Sequence, residues 1–224
     1  MRVVFVEGRK ATGKTTLSNI MAKGGNALYF DVAPTYNKAR QGNWELHSRA
    51  AMVLYPGAYL LKKFTYETFC EDIKEQVLSS NADICIISGV RSMYGIDYIT
   101  DYFNFAEQKI IYLDTDLDTA RQAYLTRKDA NKDKSKLGFE ASFMYESVLG
   151  IEKIKEHVLK NSENCLYCYR EDKNYKIIQD AVKFAYDGQA EVSMEEINNY
   201  FNNNSSLSTE KEALNANQAK GAVE

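Results

Sequence analysis

Residues 8–15 read Gly8-Arg9-Lys10-Ala11-Thr12-Gly13-Lys14-Thr15, the spacing G-x-x-x-x-G-K-[ST] that lets a short turn wrap a phosphate group. Gly8 and Gly13 carry no Cβ, so the backbone can bend tightly and aim its N–H groups at an anion. Lys14 is placed to reach the β- and γ-phosphates of a nucleotide, and Thr15 to offer its hydroxyl to Mg2+. A helix opening at Lys14 adds the positive end of its dipole. The nucleotide contacts expected of the loop are therefore Gly8, Arg9, Lys10, Ala11, Thr12, Gly13, Lys14, Thr15 and Thr16, with Thr15 as the metal contact.

Other groups able to do chemistry lie where apolar runs end. Asp31 follows Ala27-Leu28-Tyr29-Phe30, where it can take a proton from an acceptor, hold a Mg2+-bound water, or simply cap the next helix. Asp114 ends a similar run, and Glu7 immediately precedes the loop. Ser88-Gly89-Val90-Arg91 follows Ile84-Cys85-Ile86-Ile87, so Arg91 can fork two hydrogen bonds onto a second anion or close a structural ion pair. Arg121, Arg127, Lys128, Lys132, Lys134 and Lys136 form a basic stretch diluted by Asp129 and Asp133, able to face phosphate or to be a solvated loop.

Elements that position these groups are legible as alternating strand and helix patterns. Strands are expected over 2–7, 27–31, 84–87, 110–114 and 166–169. Helices are expected from the loop to about 23, mainly over 37–61 with a break at Pro56-Gly57, then over 65–79, 95–105, 116 to about 128, 139–159 with Gly150 as a weak point, 175–186 and 194–201. Segment 129–136 reads as a mobile loop. Such alternation predicts a three-layer, doubly wound, mainly parallel five-stranded α/β sheet with ligands at the carboxyl ends of its strands. One domain is expected over 1–201, with a small helical lid at about 121–140. The tail 202–224 has too few large apolar residues to order itself.

Composition narrows the partners. A net charge of −3 in 224 residues does not supply the field that long nucleic-acid tracts call for, so any such contact is local and not favoured. No apolar run approaches membrane-spanning length, and strand 1 starts at Arg2, so neither a signal peptide nor a membrane partner is expected and the chain reads as cytoplasmic. Cys165-Leu166-Tyr167-Cys168 has no second cysteine pair and no nearby histidine, so it reads as small apolar residues beside a strand and not as a zinc site.

The residues beyond the loop separate the classes that share it. The Asp-x-x-Gly and Asn-Lys-x-Asp motifs of switch GTPases are missing, and the third strand runs into Ser88-Gly89-Val90-Arg91 instead of paired acids. On Gly8–Thr16, on Ser88–Arg91, and on Arg121 with Arg127 before a charged loop, the chain resembles the P-loop nucleoside monophosphate kinase superfamily. The likeness leans toward its phage-type deoxynucleoside monophosphate kinase and dephospho-coenzyme A kinase branches, and spans about residues 2–170. It departs from the pattern at Ser88, where a carboxylate is common, and in the shortening of Gly-x-Pro-Arg to Gly89-Val90-Arg91.

The resemblance implies ATP and Mg2+ as cofactors and a small nucleotide, foremost a deoxynucleoside monophosphate, as phosphoryl acceptor. It implies catalytic roles for Lys14, Asp31, Arg91, Arg121 and Arg127, and an acceptor region holding Lys38, Arg40 and Trp44 together with Arg91. Phosphoryl transfer joins two anionic reactants, which is why lysine and arginine are needed on both sides. A kinase acting on a hydroxyl of a nucleoside, a coenzyme precursor or a modified DNA base or end is the alternative. A non-catalytic nucleotide sensor or assembly NTPase is the alternative of a different class.

Overall fold

Strands made of uninterrupted Val, Ile and Phe are wet on neither face, and this chain covers them with helices on both sides. The computed structural model describes residues 1–35, 58–126, 136–170 and 175–202. Its elements are β1 (Arg2–Glu7), α1 (Lys14–Lys23), β2 (Ala27–Asp31), α2 (Ala58–Ser79), β3 (Ile84–Ser88), α3 (Met93–Phe103), β4 (Gln108–Thr115), α4 (Leu117–Leu125), α5 (Lys136–Leu149), α6 (Ile151–Lys160), β5 (Cys165–Arg170) and α7 (Tyr175–Ala185). Residues 194–202 are also helical. The five strands are parallel in the order β2-β3-β1-β4-β5, the doubly wound arrangement expected from the alternation.

The two-residue period of β1 divides the core. Val3 and Phe5 pack with Phe69, Ile73, Ile96, Ile99, Ile154 and Val158 of α2, α3 and α6. Val4 and Val6 pack with Leu17, Ile20, Met21, Val182 and Ile197 of α1, α7 and the 194–202 helix. Cys165 falls in the first core and Cys168 in the second, because residues three apart on a strand face opposite ways. All four cysteines are buried and free, and burial pushes Cys70, Cys85 and Cys168 up to about 12.

Register brings the strand ends to one edge. Asp31 pairs with Ser88, Val6 with Ser88 and Glu7 with Tyr112, and Asp114 pairs with Tyr169. The phosphate loop and the carboxylates thus share the edge at which a parallel sheet binds ligands.

Several boundaries differ from the sequence expectation. Helix α2 runs unbroken from Ala58 to Ser79; Lys62 and Lys63, which interrupt the apolar pattern, are good helix formers and do not break it. Helix α3 starts at Met93, earlier than Gly95, because Ser92 caps it by accepting the Gly95 N–H at 3.2 Å. Helix α5 begins at Lys136, inside the segment expected as loop, and the 139–159 span divides into α5 and α6 at Gly150, the weak point expected there, whose φ is 103°. The 37–57 part of the expected 37–61 helical segment, the 129–135 part of the expected loop and the 203–224 part of the tail lie outside the described residues.

Gly95 is required for packing. A Cβ there would stand 2.3 Å from the Tyr66 ring and 2.6 Å from Val90. The buried Tyr66 hydroxyl in turn donates to the Val90 carbonyl and lies 3.0 Å from Ser92 Oγ. Gly95→Ala should therefore destabilise the fold by about 1–3 kcal/mol despite its better helix propensity. A lower urea midpoint at unchanged m-value is the expected result.

Candidate phosphate-binding site

The loop between β1 and α1 can exist only without a side chain at its first position. Gly8 has φ 139°, and a Cβ there would lie 2.1 Å from the Leu113 carbonyl oxygen of β4. Gly13 follows with φ 102° and leads directly into α1. Lys14 folds back over the loop, its Nζ donating to the Gly8 and Arg9 carbonyls at 2.7 Å each. Thr12 Oγ1 donates to the Arg9 carbonyl at 2.8 Å, closing the turn from within.

Electrostatically, Lys14 is the centre of the edge. Burial lowers its pKa, and the charges of Glu146, Glu7 and Asp31 act against that while Arg91 reinforces it. Lys14, Asp31 and Arg91 of the expected catalytic set are therefore brought into one field. Asp31 Oδ1 accepts the Ala33 N–H at 2.9 Å, so the carboxylate also caps the turn that follows β2. Tyr29 lies 3.1 Å from Ser88 Oγ; burial raises its phenol against hydrogen bonds with Ser88 and Thr15, and Asp31 adds to the rise. The Tyr29 hydroxyl thus meets Ser88 Oγ within the field of Asp31.

Glu7 is fully buried. Its Oε1 accepts the Val90 N–H at 3.1 Å and its Oε2 faces the Arg91 N–H at 3.4 Å. Desolvation raises its pKa to about 7, and those N–H groups with the Lys14 and Arg91 charges only partly oppose the rise. Arg91 itself has φ 62°, a left-handed conformation that is unfavourable for any residue with a Cβ and is common where a functional side chain must be aimed.

Arg9 and Lys10 turn their side chains away from the cradle. Arg9 donates to the Phe143 carbonyl and Ser147 Oγ at 3.1 Å each, pairs with Glu152, and lies 3.4 Å over the Phe143 ring. Lys10 Nζ donates to Ser142 Oγ at 3.2 Å and sits over Tyr124. Ala11 is buried with Ala120, Tyr124 and Phe139. The outer surface of the loop is thereby fastened to α4 and α5. Arg121 stays within that layer, paired with Asp118 at 2.6 Å and 5.7 Å over the Phe139 ring. Arg127, Lys38, Arg40 and Trp44 lie outside the described residues.

Two clefts flank the loop. One, of about 240 Å³, is bounded by Gly13, Thr16, Leu113, Arg170, Tyr175 and Phe201; Arg170 Nη1 donates to the Thr12 carbonyl at 3.2 Å. The other, of about 300 Å³, lies behind Arg9 and Lys10 and reaches Asp114 and Lys155. Asp114 accepts from Lys155 at 2.6 Å and from the Tyr167 hydroxyl at 2.8 Å. Burial alone would raise its pKa, but these bonds outweigh it and hold it below its ordinary value. Asp114 is thus committed to an ion pair.

Sequence reasoning did not find Glu146. It is 2% exposed, accepts the Lys10 N–H at 2.8 Å and approaches Arg91 Nε at 3.4 Å. Its only sequence signal is an acid at a buried position of α5, which no local spacing connects to residue 10. Among the described residues no cluster of His, Cys, Asp and Glu forms a ready-made metal cage, and no helix is long and apolar enough to cross a membrane.

No protein-family model matches the chain. No curated protein matches it significantly. Solved structures do resemble it. An unliganded sugar kinase from Janibacter sp. HTCC2649 aligns over 84% of this chain and 96% of its own at 11% identity and a TM-score of 0.54. A Thermus thermophilus protein, TT1252, aligns over 84% and 97% at 13% identity and a TM-score of 0.53. A Chloroflexus aurantiacus protein provisionally described as a kinase aligns over 84% and 97% at 15% identity and a TM-score of 0.51. At such identity the likeness establishes the fold alone, a five-stranded parallel sheet covered by helices on both faces.

The Glu7 carboxyl gives a pH signature. The unfolded chain ionises it near the ordinary 4.5 and the folded chain near 7, so between these values the folded state holds the extra proton. Its contribution to stability is complete below the window and lost as pH rises through it. In urea unfolding across this range, the stability of the wild type relative to Glu7→Gln should fall from low to neutral pH. A flat or rising difference would contradict the assignment.

Proposed function

We propose that the protein is an ATP- and Mg2+-dependent phosphotransferase that moves the γ-phosphoryl group of ATP to a small acceptor. The observation that carries this reading is the pairing of Lys14 with Arg91 at one strand edge, one cation in the phosphate loop and a second aimed from the end of β3. That is the arrangement needed to bring two electron-rich reactants together.

The residues fit the donor. The loop is a backbone cradle in which a Cβ at Gly8 is excluded, and the adjoining cleft, walled by Leu113, Tyr175 and Phe201, offers an apolar surface for a base. Thr15 in the loop and Asp31, whose charge acts on Lys14, are the side chains that would hold Mg2+, directly or through water, and the metal would supply charge neutralisation of the phosphates. Lys14 leaves its two carbonyl partners to neutralise phosphate, and the loop N–H groups orient the transferring group. The domain is read as 1–201, with a small lid at about 121–140.

A nucleotide, foremost a deoxynucleoside monophosphate, is the first acceptor class, with its phosphate on Arg91 and with Lys38, Arg40 and Trp44 completing the site. A hydroxyl acceptor is the second reading, and Asp31 favours it. A phosphate oxygen is already anionic, whereas a hydroxyl must lose a proton, and Asp31 is a carboxylate beside Lys14 able to receive one.

The test is ATP consumption by the purified protein with a panel of nucleoside monophosphates and the corresponding nucleosides. Acceptor-dependent turnover is expected, preferentially with the monophosphates, and Lys14→Ala should lower it by about 10²–10³-fold, the effect of removing one preorganised charged donor. Preference for the nucleosides would select the hydroxyl reading. Slow hydrolysis indifferent to every acceptor would overturn both.

A further inference from the structure

Arg91 is gripped from two directions by buried carboxylates. Glu7, from the end of β1, faces its backbone N–H, while Glu146, from α5, stands against its guanidinium. The second oxygen of Glu146 is also engaged, accepting the Lys10 N–H of the phosphate loop at 2.8 Å. One carboxylate therefore spans the donor loop and the β3–α3 connection, two segments that lie far apart in the sequence. Its charge is also the strongest attraction that Lys14 feels.

A carboxylate this buried is costly unless each oxygen is matched. Here one oxygen accepts the loop N–H of Lys10, and the other stands in an ion pair with the buried Arg91 Nε without hydrogen-bonding it. Neighbouring contacts hold Glu146 in place. Arg9 donates to Phe143 and Ser147 on the same helix, and Lys10 to Ser142, so α5 is fixed to the loop on both sides of the carboxylate.

We propose that Glu146 is a positioning residue for phosphoryl transfer, holding the Arg91 guanidinium at a fixed place relative to the phosphate loop by binding Arg91 with one oxygen and the Lys10 N–H with the other. This rests on the phosphotransferase reading above. Glu146 does not touch the reacting groups; it transmits occupancy of the loop to the arginine. Glu146→Gln keeps an oxygen for the Lys10 N–H and loses the charge that holds Arg91, whereas Glu146→Asp keeps the charge but is too short to serve both ends.

The experiment uses the full chain labelled with ¹⁵N-arginine, with the Arg91 Nε–H signal assigned by its loss in Arg91→Lys. In the wild type this proton should exchange slowly with water, and its signal should shift on addition of Mg2+ and β,γ-imido-ATP. In E146Q, exchange should accelerate by about tenfold or more, the effect of removing the negative charge beside that buried N–H, and the nucleotide-dependent shift should vanish. E146D should show an intermediate rate with the shift still reduced, which keeps the test valid if E146Q folds poorly. A signal that behaves identically in wild type and both variants while the analogue binds would overturn the positioning role alone. Failure of the wild type to bind the analogue would overturn the phosphotransferase reading and this role with it.

Discussion

A carboxylate sealed at the end of the central strand has to be answered by hydrogen-bond donors, and the way Glu7 is answered sets the geometry of the whole ligand edge. Its oxygens turn to the N–H groups of Val90 and Arg91, which draws the β3–α3 connection against the end of β1. Those contacts help hold Arg91 in a left-handed backbone conformation that its own side chain disfavours. The same carboxylate lies in the field of Lys14. Loss of water around Glu7 outweighs that attraction and raises its carboxyl to about 7.

Around that anchor the protein builds the phosphate loop from both sides. From within, the missing side chain of Gly8 admits the Leu113 carbonyl. From outside, Arg9, Lys10 and Ala11 are absorbed into the packing of α4 and α5. The loop is consequently less a flexible strap than a seam between two layers, and its variable positions serve the layer above it. Lys14 instead folds back onto the loop's own carbonyls at Gly8 and Arg9.

The parts of this design that obey short-range rules were legible in the sequence. Gly8 to Thr15 announced the loop through its spacing, and the apolar runs marked all five strands and their covering by helices. Asp31 and Arg91 were singled out because they end such runs. Glu146 was invisible for a physical reason: its partner is a backbone N–H 136 positions away, and amides carry no sequence signature. Glu7 was noticed, but its role depends on two further amides across the sheet. The start of α3 was missed because a helix capped by Ser92 tolerates Gly95 when a tyrosine ring fills the space. Asp114 looked equivalent to Asp31 by position, yet Lys155 and Tyr167, contributed by α6 and β5, commit it to a different task.

The buried thiols have a consequence for how this molecule can be observed. A thiol must ionise to react, and burial raises every cysteine of the chain, three of them to about 12. The natural sequence is therefore close to silent toward maleimides and iodoacetamides under native conditions. A single cysteine placed at Met144, which is 60% exposed on the same helix as Glu146, would carry a fluorophore or spin label without a cysteine-free background. A probe there would ride on the element that joins the loop to Arg91.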